Sequence, residues 1–318
     1  MQNPYAYLVL EQVIHSCSLL AKEFANIQAI QASNENEKIK KCMQWQETLQ
    51  QIDYALHFVE IDNLSAIIKI QKQVIGAVAK SDLASSTQLF TLLSKTQHAT
   101  SLLLEKQTHG WPIFPISLFA AYKPLYQTLF QDEVSAAYLI HLPHENDLPP
   151  ALQTLSQAEI TGITLQELIE MYESALLMLL KHESEASVKA ATEKIAKLFS
   201  YIARRQKEKN IDNVHAASNR DQLYSEVFQL YAQKIADGES FNFVLARKIF
   251  SAMRRKIYQL TGDAKQTFRG ELLQEVLFEL RLNTHNDVSV TELLQCFDIQ
   301  RQVDLLAQSQ GSWDELDA

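Results

Sequence analysis

The 318-residue sequence predicts an all-α fold in two helical-bundle blocks, the first a four-helix bundle with a proline-rich strap. Three observations carry that prediction. Glycine occurs only 7 times, where average usage gives about 22, and sheets, tight hairpins and phosphate-cradling loops all draw on glycine for positive φ. Apolar residues recur at three- and four-residue steps over long stretches. Two capping boxes, Thr164-Leu-Gln-Glu167 and Ser289-Val-Thr-Glu292, signal helix starts. A hydrophobic fraction of 47% with 21% charged residues is that of a folded chain.

The first helix is predicted from about Tyr5 to Ala32, on the stripe Leu10, Val13, Ile14, Cys17, Leu20, Phe24 and Ile27. In the second, Cys42, Trp45, Leu49, Ile52, Leu56 and Val59 alternate steps of three and four, the spacing of a helix packed lengthwise in a bundle. A third helix covers roughly Leu64–Lys80 and a fourth Ala84–Lys106. The prolines of Gly110–Pro124 oppose a long regular helix, yet the segment is too apolar for a solvated linker, so it reads as a strap across the bundle. These elements fill a first block over 1–140, and a linker follows over 141–160.

The second block, 161–310, opens with the Thr164 capping box and a helix expected to bury Leu168, Tyr172, Leu176, Leu179 and Leu180. Helices follow at about 186–209, 219–236, 241–260 and 267–283. The Ser289 capping box starts a last helix to about Ser309, and 311–318 reads as a loose acidic tail.

A net charge of −9 argues against duplex nucleic acid as partner. Three cysteines without ligand spacing (Cys17, Cys42, Cys296), an N-terminus lacking the marks of a signal peptide, and apolar runs about a third of a membrane span predict a cytoplasmic protein with no membrane insertion. The glycine motifs of nucleotide sites, the nucleophile elbow and the His-Glu-x-x-His helix are missing from the sequence, so no catalytic residue and no cofactor is expected, and the chain reads as a non-enzyme. His141 and His144 are the nearest metal-like pair and read as solvated. His98 reads as a partly buried bundle histidine, and Asp314 and Glu315 as solvated charge.

Beside its apolar stripe the second helix carries Gln46, Gln50, Asp53, His57 and Glu60, again at alternating spacing, in one line expected on the exposed shoulder of the bundle. Periodicity alone makes this an ordinary solvated face. The wording goes further. Thr48-Leu-Gln-Gln-Ile-Asp-Tyr-Ala-Leu-His-Phe-Val-Glu-Ile61 resembles the central helix of histidine phosphotransfer (HPt) domains. It is more closely similar to the degenerate copies of that domain in the FimL family and in the N-terminal part of the PilL/ChpA kinases of the type IV pilus chemosensory system. The resemblance continues through Asn63-Leu-Ser-Ala-Ile and Pro115-Ile-Ser-Leu-Phe-Ala-Ala-Tyr-Lys-Pro124, and more faintly over Lys194–Lys209.

A working HPt helix has an exposed His as acceptor, a basic residue three positions on and a Gly four positions on. By that resemblance Gln50 takes the acceptor place, Asp53 the basic place and Tyr54 the glycine place. A carboxamide is not a usable nucleophile, a carboxylate repels a phosphoryl group, and a tyrosine obstructs docking. His57, one heptad along, is followed at the same offsets by Glu60 and Ile61. The resemblance therefore implies a pseudo-phosphotransfer adaptor acting in twitching motility and cyclic AMP signalling. Its implied partners are a response-regulator receiver domain, a polar landmark protein and adenylate cyclase, and its implied place is the cell pole. An active phosphotransfer protein and a general helical scaffold outside this pathway stay open as alternatives.

The charge is uneven, with thirteen Lys/Arg against six Asp/Glu over residues 194–256. Arg247 with Arg254, and Lys248 with Arg255, are a heptad apart and share a helix face. The patch is either a solvated face or a dock for an acidic partner such as the Asp-lined pocket of a receiver domain.

Overall fold

A computed structural model describes residues 4–26, 35–142, 164–181, 184–212, 217–239, 241–261, 270–284 and 287–315. Every regular element among them is helical, and none of these helices is long and apolar enough to cross a membrane. The chain divides into two compact units, Met1–His141 with Gln302–Ala318, and Leu142–Arg301.

The first unit begins with α1 (Pro4–Ala25), α2 (Glu35–Phe58), α3 (Ser65–Ala79) and α4 (Thr87–Thr108). α1 packs along α4 and α2, and α2 along α3. Their apolar stripes meet around Trp45, whose ring lies edge-on to Phe24 at 5.0 Å and to Phe90 at 5.8 Å. Cys17 and Cys42 belong to this core as small apolar residues. Desolvation pushes the Cys17 thiol up to about 12, so it stays protonated at neutral pH. Polar seams cross the packing as well. The Ser94 hydroxyl donates to the Ala21 carbonyl at 2.7 Å, and the buried Gln97 carboxamide donates to Gln71 Oε1 at 2.8 Å, which ties α4 to α1 and α3.

The strap segment opens extended, turns through a 3₁₀ stretch at Pro115–Leu118 and then forms α5 (Phe119–Phe130), packed on α3 and α4. Ile113, Phe114, Ile116, Leu118 and Phe119 are buried, and Asn63 Nδ2 donates to the Ile113 carbonyl at 3.0 Å. The expectation that proline breaks regular structure here holds only in part. Pro124 lies inside α5, where it gives up one backbone donor without ending the helix. α5 instead ends at Gln131, in the left-handed conformation with φ 55°. A side chain with a Cβ is strained there and glycine is not. Gln131→Gly is therefore expected to stabilise the protein by about 1 kcal/mol, read as a higher midpoint of urea unfolding.

The second unit contains α6 (Leu165–Lys181), α7 (Glu185–Asp212), α8 (Ala217–Ala236), α9 (Phe243–Thr261), α10 (Gly270–Asn283) and α11 (Val288–Cys296). α7 and α8 form its longest packed pair, with α6 against α7 and α9 and α10 against α8. Phe199 stacks on Phe228 at 5.5 Å, and the buried Tyr172 hydroxyl donates to the Phe250 carbonyl at 2.6 Å. The first capping box forms as predicted, Thr164 N donating to Glu167 Oε2 at 2.8 Å and Glu167 N to Thr164 Oγ1 at 3.3 Å. Leu180, expected in the core, is 43% exposed in the last turn of α6.

Five boundary expectations need correction. The first helix ends at Ala25, and its predicted extension over 27–32 lies outside the described residues. The predicted last helix is two helices, α11 and α12 (Ile299–Glu315), broken at Asp298 with φ 51°. Its cap is Asp287 rather than Ser289, because the Asp287 carboxylate accepts from Ser289 N at 2.9 Å and Val290 N at 3.2 Å. Residues from Gln302 onward fold with the first unit, where Gln302 exchanges hydrogen bonds with the His141 backbone at 2.8 and 2.9 Å. The helix also runs on to Glu315, through most of what reads as a loose tail.

Candidate functional site

Four members of the predicted docking stripe lie on α2, with Glu60 in the turn beyond it, and three of the four do not stand free. α3 runs back alongside α2, and its residues Ser65, Lys69, Lys72 and Gly76 recur at four, three and four, the spacing of a facing stripe. Gln46 Nε2 donates to the Lys72 carbonyl at 3.1 Å. The Lys72 ammonium donates to Gln50 Oε1, and the Ser65 hydroxyl donates to Asp53 Oδ1 at 2.7 Å. Gln46, Gln50 and Asp53 are accordingly half-buried.

Gly76 makes this closeness possible. A Cβ there would stand 2.6 Å from Gln46 Nε2, so any larger residue displaces the Gln46 carboxamide. Between the two helices lies an open groove of about 680 Å³, with Ile39 and Met43 on one wall and Lys69, Lys72 and Lys80 on the other. The second wall is mixed, since Gly76, Ala77, Ala79 and the Asp82 carboxylate line it beside the three lysines.

The lower end of the stripe differs. His57 is 78% exposed, and its Nδ1 lies 2.5 Å from Asp62 Oδ1, leaving Nε2 toward solvent. Glu60, at the turn after α2, has φ 59° and is exposed. Tyr54 and Phe58, beside His57 on the same helix end, are exposed too. The stripe is thus a hydrogen-bonded seam at Gln46, Gln50 and Asp53 and an open surface at His57 and Glu60.

The basic patch on α9 is not a row of four free cations. The Arg254 guanidinium pairs with Glu173 of α6, Nη2 to Oε1 at 2.6 Å. Arg247 is half-buried with its guanidinium 5.6 Å above the Phe243 ring. Lys248 is exposed, and the side chain of Arg255 lies outside the described residues. Heptad spacing put these residues on one face correctly as a matter of register, but it does not show which neighbours claim their charge.

His98 is exposed on α4 rather than partly buried. His144 lies outside the described residues, and among those described no group of three or more His, Cys, Asp or Glu side chains could hold a metal ion. Sequence reading missed the α3 partners Ser65, Lys72 and Gly76, although their shared spacing was a legible signal. It also missed the ion cluster around Lys234, where Asp287, Glu239 and Asp237 converge from separate turns and a helix cap. Comparison of the chain with family models, with curated proteins and with solved structures finds no match.

Proposed function

We propose that this chain is a non-enzymatic adaptor of the type IV pilus chemosensory pathway. It acts by protein–protein binding at the cell pole, with a receiver domain, a polar landmark protein and adenylate cyclase as its partners. The observation that supports this reading best is the fate of the acceptor place. Gln50 offers a carboxamide, and its oxygen is engaged by the Lys72 ammonium. A phosphoryl group has no nucleophile to meet there, and the Asp53 carboxylate one turn away repels it. The open groove between α2 and α3 and the exposed Phe58 near its end support binding of a partner at this face, while Tyr54 stands against the approach that working phosphotransfer uses.

Active phosphotransfer is the second reading, and one observation favours it. Asp62 holds His57 Nδ1 and leaves an exposed imidazole nitrogen, an arrangement suited to a nucleophilic histidine. The two readings part on a direct assay. The chain is incubated with a phosphorylated receiver domain and with an autophosphorylating chemosensory kinase, and acid-labile phosphohistidine is measured. The adaptor reading expects no stable label together with retained receiver binding. Label that disappears in His57→Gln would replace it with the second reading. Normal twitching and a diffuse signal in a deletion and localisation experiment would instead favour a scaffold outside the pathway.

A further inference from the structure

α1 carries two stripes of helical spacing, and its own bundle uses only one. Leu10, Val13, Cys17, Leu20 and Phe24 are buried. On the other side Tyr5, Leu8, Gln12, His15, Leu19 and Lys22 alternate steps of three and four, and all six are exposed. Tyr5 is 72%, Leu8 61% and Leu19 50% exposed, so half of this outer stripe is large apolar surface. Positions at this spacing lie along one side of a helix and can form the seam of a helix–helix pair, here with apolar residues at Tyr5, Leu8 and Leu19 and polar ones at Gln12, His15 and Lys22.

The order of residues in this seam says what covers it. Read backwards, the stripe matches itself. With a second α1 laid antiparallel about a two-fold axis between Val13 and Ile14, Leu8 stands opposite Leu19, Gln12 opposite His15 and Tyr5 opposite Lys22. Apolar meets apolar, one hydrogen-bonding side chain meets another, and an aromatic ring meets an ammonium. The flanking Glu11 falls across from Ser16, so no like charges are brought together. Self-complementarity under a two-fold is the requirement of an isologous interface. A parallel pair would oppose Lys22 to Lys22 and would lose the ring–ammonium contact.

We infer that the outer face of α1 is the interface of a homodimer in which a second copy of this chain packs antiparallel across it. The proposal is independent of the pathway reading, since it rests on the α1 pattern alone. One helix per subunit gives a contact at the lower end of the sizes that hold stable complexes, so the dimer is concentration-dependent. For an adaptor the consequence is two copies of each docking surface and avidity for clustered partners.

Sedimentation velocity on the full chain, from about 1 to about 200 µM, tests this. The weight-average mass is expected to rise from 36.3 kDa toward twice that value. Leu8→Glu combined with Leu19→Glu places repelling carboxylates opposite each other and is expected to weaken association at least tenfold, with unchanged helicity because both positions are exposed. Leu8→Lys combined with Leu19→Glu pairs opposite charges in the antiparallel register and is expected to restore the dimer. A native chain that stays monomeric throughout overturns the proposal. So does a dimer that persists in the double-glutamate variant, or one that the charge-paired variant fails to restore.

Discussion

Trp45→Ala is expected to destabilise the protein by about 4 kcal/mol, the largest single-residue effect in the first unit. Trp45 is 1% exposed and sits where three helices converge, edge-on to Phe24 from α1 and to Phe90 from α4. Truncation removes the indole from both ring contacts and leaves a void that Leu49 and Ile52, one and two turns along the same helix, are placed too far along the axis to fill. It also strands a polar partner, because the indole Nε1 donates to Glu23 Oε2 at 2.5 Å. Trp45→Phe separates these terms. It keeps most of the apolar volume and loses the Glu23 bond, for an expected cost of about 1–2 kcal/mol. Urea unfolding followed by far-UV circular dichroism gives both values. Native fluorescence gives an independent check, since Trp45 is buried and Trp111 is well exposed. The side chain of the third tryptophan, Trp313, lies outside the described residues, so loss of Trp45 is expected to reduce blue-shifted emission and not to abolish it. A cost for Trp45→Ala below about 2 kcal/mol would mean that the three-helix junction repacks freely and is not the centre of this core.

The contrast between Trp45 and the stripe beside it shows what periodicity can deliver. Of the predicted stripe, Cys42, Trp45, Leu49, Ile52 and Leu56 are buried, because an apolar stripe on a bundle helix has only one low-energy side to face, while Val59 falls in the turn beyond the helix and is half-buried. A polar stripe has no such constraint. Gln46, Gln50 and Asp53 read equally well as solvent-facing or as partners of a neighbouring helix, and only the matching line Ser65, Lys72 and Gly76 on α3 decides between them. The HPt-like reading of the shoulder accordingly rests on the wording of the sequence, and the geometry adds only that the acceptor place is occupied by a hydrogen-bonded amide.

Helix ends show the same division. Thr164 and Glu167 form the reciprocal box their spacing announces. Ser289 fails to cap because the helix has already begun before it: Asp287 accepts from the amides of Ser289 and Val290, the Thr291 amide donates to the Asp287 carbonyl, and the Ser289 hydroxyl itself is drawn to the Asp287 carboxylate at 2.5 Å. The break at Asp298 carries no glycine or proline to mark it, so α11 and α12 read as one helix. The return of the chain to the first unit hinges on Gln302 and His141, a pairing across 161 positions that no local pattern encodes.

Asp287→Ala is the second large expected effect, about 3 kcal/mol, because one carboxylate performs two tasks. Its Oδ1 satisfies the first amides of α11, and its Oδ2 accepts from the Lys234 ammonium. Lys234 is largely buried, and its remaining acidic neighbours are farther off, Glu239 Oε1 at 3.5 Å and Asp237 Oδ2 at 4.0 Å. Alanine leaves an ammonium short of a partner and a helix without its cap. Asp287→Asn keeps a capping oxygen and loses the charge, for an expected cost of about 2 kcal/mol.

The same carboxylate sets an acid limit. Desolvation raises its pKa, but the Lys234 bond, the Ser289 hydroxyl, the Val290 amide and the Lys234 charge together outweigh that and hold it at about 2. A folded value below the ordinary 3.8 means that the stabilisation is complete above about pH 4 and is lost as pH falls through about 2. Its size is about 2 kcal/mol. Lys234 is desolvated as well, yet the Asp287 bond and the surrounding carboxylates raise its pKa, so its share persists through neutral pH and is lost only in strong alkali. Urea midpoints of the native chain and Asp287→Asn, measured from pH 7 down to pH 2, should converge by about 2 kcal/mol at the acid end. Curves that stay parallel would show that the Lys234–Asp287 pair contributes no charge-dependent stability and that Asp287 acts through its cap alone.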